Sequence, residues 1–127
     1  MNCNILIVDD SPILRRAIRK VVQLAGVEAD RIFEAGNGVE ALAALDEHWI
    51  DLILLDLNMP VMDGESFIIE KNKLDAARDI AVVIVSTESN QARLDKLKGL
   101  GVSGSLQKPF EPEDLLRVIR RVLGVAA

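Results

Sequence analysis

Short aliphatic runs alternate with helix-like segments along the chain, and this alternation limits the folds open to it. The runs that predict strands are "NILIV" (4–8), "RIFEA" (31–35), "DLILLD" (51–56), "IAVVIVS" (80–86) and "SGSLQK" (103–108). Runs of this length with few polar residues are typical of parallel strands that are buried on both faces. Strands separated by helices predict an open parallel sheet that carries helices on both sides.

Helix signals fill the intervals between these strands. In the first interval Ser11 is a good N-cap, Pro12 suits the first helical turn, and apolar residues follow at helical spacing until Gly26. The other predicted helices are 38–47, 65–73, 90–101 with its end at Gly99 or Gly101, and a last one that begins near Pro112. Five strands and five helices account for the sequence, so we expect residues 1–127 to form one α/β domain.

Composition and charge argue against several classes of protein. The net charge is −5 and no dense basic cluster occurs, so direct binding of nucleic acid is not expected. No apolar run has the length of a membrane span, and the N-terminus "MNCNILIVDD" lacks the pattern of a secretory signal. The lone Cys3 cannot form an internal disulfide. We therefore expect a cytoplasmic protein that does not bind membranes.

Polar side chains stand where four of the predicted strands end. Asp9 and Asp10 follow the first strand, Asp56 closes the third, Ser86 the fourth and Lys108 the fifth. The carboxyl ends of parallel strands lie along one edge of the sheet, where ligands bind in folds of this kind. Each residue alone has an ordinary explanation, such as a helix terminus for Asp10 or a solvated surface position for Lys108. Their shared position nevertheless predicts one site.

The chemistry of this site follows from its charges. Carboxylates that lie close together repel each other, so the cluster is stable at neutral pH only with a cation. Oxygen ligands suit Mg²⁺, whereas zinc is not expected because His48 stands alone and Cys3 is remote. Magnesium beside a lysine and a hydroxyl is a set of groups for phosphoryl transfer. In such a reaction Asp56 could be the nucleophile that forms an acyl phosphate.

Four motifs make the chain similar to a known family. The motifs "ILIVDDS" (5–11), "LLDLNMPVMDG" (54–64), "VIVSTE" (83–88) and "KPF" (108–110) have the order and spacing of receiver domains of two-component signalling. The chain resembles a response regulator of the single-domain, chemotaxis-regulator type over essentially its whole length. The resemblance implies the flavodoxin-like receiver fold, which is a doubly wound parallel sheet with strand order 2-1-3-4-5.

The resemblance also implies how the site would work. Asp56 would accept a phosphoryl group from a sensor histidine kinase or a phosphotransfer protein. Mg²⁺ would be held by the side chains of Asp10 and Asp56 and by the backbone carbonyl of Asn58, with Asp9 acting through water. Lys108 would pair with the phosphoryl group, and the peptide bond between Lys108 and Pro109 would be cis.

Signal output is expected through the fourth helix, the fifth strand and the fifth helix, toward a downstream protein that the sequence does not identify. Ser86 would move to bind the phosphoryl group. The family often has an aromatic residue three positions before the lysine, where this chain has Ser105. We therefore expect the switch to work without a ring, with little contribution from Ser105. Asn58 and Glu88, both polar, are expected to admit the water that slowly removes the phosphoryl group.

Three other interpretations remain open at this stage. A haloacid-dehalogenase-like phosphohydrolase also uses an aspartate nucleophile and Mg²⁺, but it normally has a second aspartate two residues later, where this chain has Asn58. A receiver-fold interaction module that takes no phosphate would not need the full set of site residues. A phosphotransfer protein would need a phosphorylated histidine, for which His48 is the only candidate. We predict that His48 lies on the surface and that Trp49 packs at the core boundary.

Overall fold

The predicted strands form a parallel sheet in the computed structural model, which describes residues 2–124. The strands are β1 (Ile5–Val8), β2 (Ile32–Ala35), β3 (Leu52–Leu55), β4 (Ala81–Ser86) and β5 (Gly104–Gln107). Their order in the sheet is β2-β1-β3-β4-β5, and Ile5 of β1 lies opposite Ile32 of β2 and Leu52 of β3. The predicted α/β class, the flavodoxin-like topology and the strand order are confirmed.

Five α-helices alternate with the strands between residues 2 and 124. They are α1 (Pro12–Leu24), α2 (Gly38–Glu47), α3 (Gly64–Asn72), α4 (Gln91–Gly99) and α5 (Pro112–Leu123). The first four begin with side-chain caps that accept a hydrogen bond from the N–H group three residues later, and the caps are Ser11, Asn37, Asp63 and Asn90. None of these helices combines the length and the apolar character that a membrane span needs.

Each strand is one residue shorter than predicted at one or both ends. The change matters at β3 and β5, which end just before Asp56 and Lys108. The Asp56 N–H still donates to the carbonyl of Val8 at 2.9 Å, and the Lys108 N–H donates to the carbonyl of Ser86 at 2.8 Å. Both residues therefore remain fixed to a neighbouring strand although they lie outside their own.

Two helices differ from the prediction at their ends. α3 begins at Gly64, one residue early, because the Asp63 carboxylate caps it by accepting from the Ser66 N–H at 2.8 Å. A side chain at Gly64 would collide with the backbone carbonyl of Asp56, so glycine lets the helix start close to that residue. α4 covers 91–99 instead of 90–101, and Gly101, with φ of +95°, lies beyond its end.

Two apolar clusters fill the two faces of the sheet. β1 and β3 are buried at every position. On the first face, α1 and α5 contribute the fully buried residues Ile18, Val22, Leu115 and Ile119. On the second face, α2, α3 and α4 contribute Ala41, Phe67, Ile68 and Leu97. Burial of each large side chain contributes about 1.5–3 kcal/mol. The sheet is therefore a firm support for the residues at its carboxyl edge.

The prediction for Trp49 is wrong, because this side chain lies outside the core. It is 80% exposed, whereas the next residue, Ile50, is 3% exposed and takes the buried position. His48 is exposed, as predicted, and stacks on Phe33 with 4.0 Å between the ring centroids. His48 packs on Phe33 and Ile50 enters the core, while the indole of Trp49, which lies between them in the sequence, extends into solvent.

Candidate functional site

Four strand ends bring the predicted polar residues to one edge of the sheet. Asp9 and Asp10 follow β1, Asp56 follows β3, Ser86 ends β4 and Lys108 follows β5. Because β1, β3, β4 and β5 are consecutive neighbours in the sheet, these residues line one continuous edge. Asp9, Asp56 and Ser86 are 2%, 6% and 1% exposed, while Asp10 faces solvent.

Asp9, Asp10 and Asp56 form an acidic cluster. One carboxylate oxygen from each residue lies within 4.8 Å of the other two. Charges of the same sign at this separation repel each other, more strongly where two of the groups are buried. Carboxylate oxygens beside one solvent-facing ligand suit Mg²⁺, which keeps several of its own water molecules. The residues of the cluster therefore fit the predicted metal by the chemistry of their ligand atoms.

Lys108 places a positive charge against this cluster. Its Nζ atom lies 2.8 Å from Oδ2 of Asp9 and 3.6 Å from Oδ2 of Asp56. The lysine side chain is 15% exposed, so both ion pairs are less screened by water than pairs on the surface. One ammonium group opposes three carboxylates, and negative charge remains in excess when all four groups are ionised.

The environment of Asp56 disfavours its charged form. Burial raises the pKa of the Asp56 carboxyl above its ordinary value, and the charge of Asp9 adds to the rise. The Lys108 ammonium and the N–H groups of Asn58 and Leu57 act against that rise. The Asn58 N–H is 3.5 Å from Oδ1 of Asp56, which is long for a hydrogen bond. A perturbed pKa in a cluster of charges is a mark of functional sites.

The Ser86 hydroxyl is bound to the loop that follows β4. Its Oγ atom accepts a hydrogen bond from the N–H of Glu88 at 3.2 Å. The Glu88 carboxylate in turn lies 3.6 Å from Nη1 of Arg93 on α4. Ser86 is therefore connected to α4 through the N–H of Glu88 and the ion pair of Glu88 with Arg93.

Ser105 lies on β5 beside a cavity that extends to Ser86. The cavity has a volume of about 260 Å³, and its wall comes from β4, α4, β5 and the loop between them, including Ile84, Ser86, Glu88, Leu94, Ser105 and Leu106. Ser105 is exposed, and its short side chain leaves this space open. The position that often carries a ring in the family therefore borders a cavity here.

The remaining predicted residues surround the site or lie away from it. The peptide bond between Lys108 and Pro109 is cis, as the resemblance implied. Asn58 is exposed and Glu88 is half-buried, so water can reach both. His48 precedes β3 whereas Asp56 follows it, and the two residues therefore lie at opposite ends of that strand.

Arg15 supports the site, although no sequence motif indicated a role for it. Its Nη1 atom donates to the backbone carbonyl of Asp9 at 2.6 Å, and its Nε pairs with Oε1 of Glu34 at 3.0 Å. Oδ1 of Asp9 also accepts from the Ser11 N–H at 2.9 Å. Together these contacts fix the turn after β1. Arg15 is one of several cations in "LRRAIRK", so the sequence offered no signal that set it apart.

The loop between β3 and α3 contains a strained turn. Val61 has φ of +69°, and the Met62 N–H donates to the carbonyl of Pro60 at 2.7 Å. Such three-residue turns are rare, and a β-branched residue with positive φ is an outlier. The Met62 carbonyl accepts from the Gly38 N–H at 2.9 Å, and a side chain at Gly38 would collide with Met62. Contact with α2 therefore holds the loop in this conformation.

Comparison with known proteins places the chain in a family. The family model of the response regulator receiver domain matches residues 5–120. The chain is 32% identical to chemotaxis protein CheY1 of Helicobacter pylori over 94% of this chain and 96% of that protein. It is 30% identical to the probable transcriptional regulator ycf29 of Porphyra purpurea over 97% of this chain, which spans 57% of that protein's length.

Solved structures agree with this placement. The chemotaxis response regulator CheY4 of Vibrio cholerae superposes with a TM-score of 0.87 at 34% identity, covering 96% of this chain and 99% of that one. The receiver domain of the sensor histidine kinase PA1611 from Pseudomonas aeruginosa PAO1 shares the fold, with a TM-score of 0.84 at 24% identity over 98% of this chain and 99% of that chain. In that protein a magnesium ion is coordinated in the active site cleft.

The chain belongs to the response regulator receiver domain family, and it is a CheY-like receiver domain of two-component signalling. The members of this family are signalling phosphoacceptors. This placement favours the receiver interpretation over a phosphohydrolase of the haloacid dehalogenase type.

Proposed function

We propose that this chain is a phosphoacceptor switch. Asp56 takes a phosphoryl group from the phosphohistidine of a sensor histidine kinase or a phosphotransfer protein, and a downstream protein responds to the change. One observation carries the proposal: three carboxylates lie within 4.8 Å of one another, and the Lys108 ammonium is 2.8 Å from Asp9 and 3.6 Å from Asp56. This set of groups, at the carboxyl edge of a parallel sheet, suits phosphoryl transfer to a carboxylate.

In the proposed reaction a carboxylate oxygen of Asp56 attacks the phosphorus atom of phosphohistidine. A P–O bond forms as the P–N bond breaks, and the electron pair of the broken bond stays on the imidazole nitrogen. The product is an acyl phosphate on Asp56. The Lys108 ammonium, which Asp9 holds beside Asp56, would pair with a phosphoryl oxygen.

A divalent cation belongs to this proposal. The side chains of Asp10 and Asp56 and the backbone carbonyl of Asn58 would hold Mg²⁺, with Asp9 acting through water. Bound there, the ion would supply positive charge against the phosphoryl oxygens. The excess of carboxylates over cations in the cluster supports a metal at this place, as does the magnesium in the cleft of the PA1611 receiver domain.

The switch would act on the surface formed by α4, β5 and α5. After phosphorylation Ser86 would give up its bond to the Glu88 N–H and donate to a phosphoryl oxygen. Release of this bond would let the loop that carries Glu88 move, and α4 would shift with the loop through the ion pair of Glu88 with Arg93. Leu94 and Leu97 anchor α4 on the second apolar cluster. Ser105 would contribute little, since its side chain is too small to fill the cavity beside it.

Incubation with acetyl phosphate and Mg²⁺, followed by intact-mass measurement, tests this function. The parent protein is expected to gain the mass of one phosphoryl group, whereas Asp56→Asn gains none and a chelator prevents the gain. Asp75→Asn, which makes the same change at an exposed aspartate outside the cluster, is the matched control and is expected to react like the parent.

Other outcomes would select another function. Multiple turnover of phosphomonoesters would indicate a hydrolase. Phosphorylation that survives Asp56→Asn but is lost in His48→Gln would indicate a phosphotransfer protein. A folded parent protein that gains no mass from any phosphodonor would indicate an interaction module.

A further inference from the structure

Trp49 is displayed at the end of the sheet opposite to Asp56. It precedes β3 whereas Asp56 follows that strand, and the four residues of β3 span roughly 13 Å. It is the only tryptophan of the protein, and it is 80% exposed. An exposed indole stabilises no core, and tryptophan is among the residues most enriched at the energetic centres of binding surfaces.

The indole is held in a fixed position. Its Nε1 donates to Oδ1 of Asp51 at 3.2 Å, and the Trp49 carbonyl accepts from Nδ2 of Asn4 at 2.6 Å. Oδ2 of Asp51 accepts from the N–H of Asn4 at 2.8 Å. Ile50, which lies between Trp49 and Asp51 in the sequence, is buried. Because the ring is already oriented, a ligand that stacks on it would lose little conformational entropy from this side.

A small acidic cavity lies beside the indole. Its volume is about 230 Å³, and its lining consists of Trp49, Ile50, Asp51, Ala76, Asp79 and Ile80. Sites for small molecules usually measure roughly 300–1,000 Å³, so this cavity suits a single side chain better than a whole metabolite. Apolar side chains form part of the wall, and two carboxylates supply its charge.

Asp79 is available for a new ion pair. Within residues 2–124 its carboxylate accepts no hydrogen bond and forms no salt bridge, and the residue is exposed. The nearby Lys71 is buried, and its ammonium donates to the carbonyl of Arg78 at 2.9 Å instead of pairing with Asp79. The cavity therefore offers an oriented aromatic face together with an exposed carboxylate that has no direct ion pair among the described residues, although the charge of the buried Lys71 attracts it from a greater distance.

We propose that this cavity binds an arginine side chain from a basic segment of a partner protein. A planar guanidinium can stack on the indole of Trp49 while it donates to the carboxylates of Asp51 and Asp79, and the aliphatic part of the arginine can pack on the apolar wall. A lysine would offer neither the planar stacking nor the forked geometry. The net charge of −5 also favours the approach of a basic segment. The site lies away from the acidic cluster and does not depend on the phosphorylation of Asp56.

Titration with a short dye-labelled peptide of glycine and arginine tests this site, without a phosphodonor and at low ionic strength. The control peptide carries citrulline, which keeps the shape of arginine but has no charge. Binding of the arginine peptide is expected to change the anisotropy of the dye and the emission of Trp49 saturably, and the citrulline peptide is expected to leave both unchanged. Added salt should weaken the binding.

Variants separate the cavity from the general negative charge of the protein. Asp79→Asn and Trp49→Leu, both at exposed positions, are expected to weaken the anisotropy-measured affinity by about fivefold each. Glu113→Gln removes the same charge from the start of α5 and is expected to change the affinity less than about twofold. Melting curves verify that each variant is folded. Equal affinity for the citrulline peptide, equal losses in Asp79→Asn and Glu113→Gln, or the absence of saturable binding would each overturn the proposal.

Discussion

Single residues at the mouth of the site are expected to set the lifetime of the phosphorylated state. Asn58 and Glu88 are polar and accessible, so they can admit and orient the water that attacks the acyl phosphate. In the double variant Asn58→Met, Glu88→Leu we expect decay to slow by about tenfold, which corresponds to a loss of about 1.4 kcal/mol of transition-state stabilisation. The rate is measured by intact mass after the phosphodonor is removed.

The variant Glu88→Leu also breaks the ion pair with Arg93, which needs its own control. Arg93→Gln removes the same pair and leaves Glu88 in place. If Arg93→Gln alone slowed the decay as much as the double variant, the effect would arise from the mobility of α4 and not from exclusion of water.

Val61 is a second residue whose effect can be predicted, because its backbone is strained. Asparagine tolerates positive φ better than a β-branched residue does, and the Val61 side chain is 82% exposed, so little packing would be lost. Val61→Asn is expected to raise the free energy of unfolding by about 1 kcal/mol. Urea denaturation, with an unchanged slope, measures the gain. An equal or lower stability of the variant would show that the positive φ of Val61 does not destabilise the fold.

Among the elements, α4 is expected to respond to Ser86 and not to Ser105. Ser86 connects the site to α4 through its bond to the Glu88 N–H and the pair of Glu88 with Arg93. Ser105 makes no such connection among the described residues and is too small to fill the neighbouring cavity. A switch needs contacts that differ between its two states, and Ser105 offers few.

Amide chemical shifts of α4, recorded with and without the phosphoryl mimic beryllofluoride, measure this coupling. Ser86→Ala is expected to bind the mimic but to lose most of the change in the α4 shifts, whereas Ser105→Ala is expected to keep nearly all of it. The reverse pattern would assign the switch to Ser105 and would rule out the route through Glu88.

The elements were also the most predictable level of the structure, because their signals are local. Aliphatic runs predicted the strands, and cap residues such as Ser11 predicted helix starts, although the strand ends shifted by one residue. Trp49 was misread because two adjacent apolar residues compete for one buried position, and the turn before β3, which the sequence does not fix, buries Ile50 instead. Arg15 was missed because its contact with Asp9 depends on how α1 packs against the sheet.

For the molecule as a whole, the acidic cluster is expected to cost stability when no metal is bound. Mg²⁺ at 100 times its dissociation constant would stabilise the parent by about 2.7 kcal/mol, since it binds the native state only. Asp56→Asn removes one proposed ligand, so it should respond much less to the ion. Thermal melting with Mg²⁺ and with a chelator measures both responses. Equal stabilisation of parent and variant by Mg²⁺ would place the metal elsewhere.

The pH dependence of stability provides a test that needs no metal. The folded pKa of Asp56 is raised above 3.8 by burial, so the stability that this carboxyl contributes is fully present below that pH and is lost as pH rises through the folded pKa. At about pH 7, in chelator, Asp56→Asn is therefore expected to be more stable than the parent, because it carries no buried charge. The difference should shrink as pH falls, because the raised pKa of the parent carboxyl favours its uncharged form in the native state. Paired melting curves across this range measure the difference, because titrating groups away from Asp9, Asp56 and Lys108 affect both proteins alike. If the variant were instead less stable near neutral pH, the pairing of Asp56 with Lys108 would outweigh burial, and the cluster would hold together without a metal.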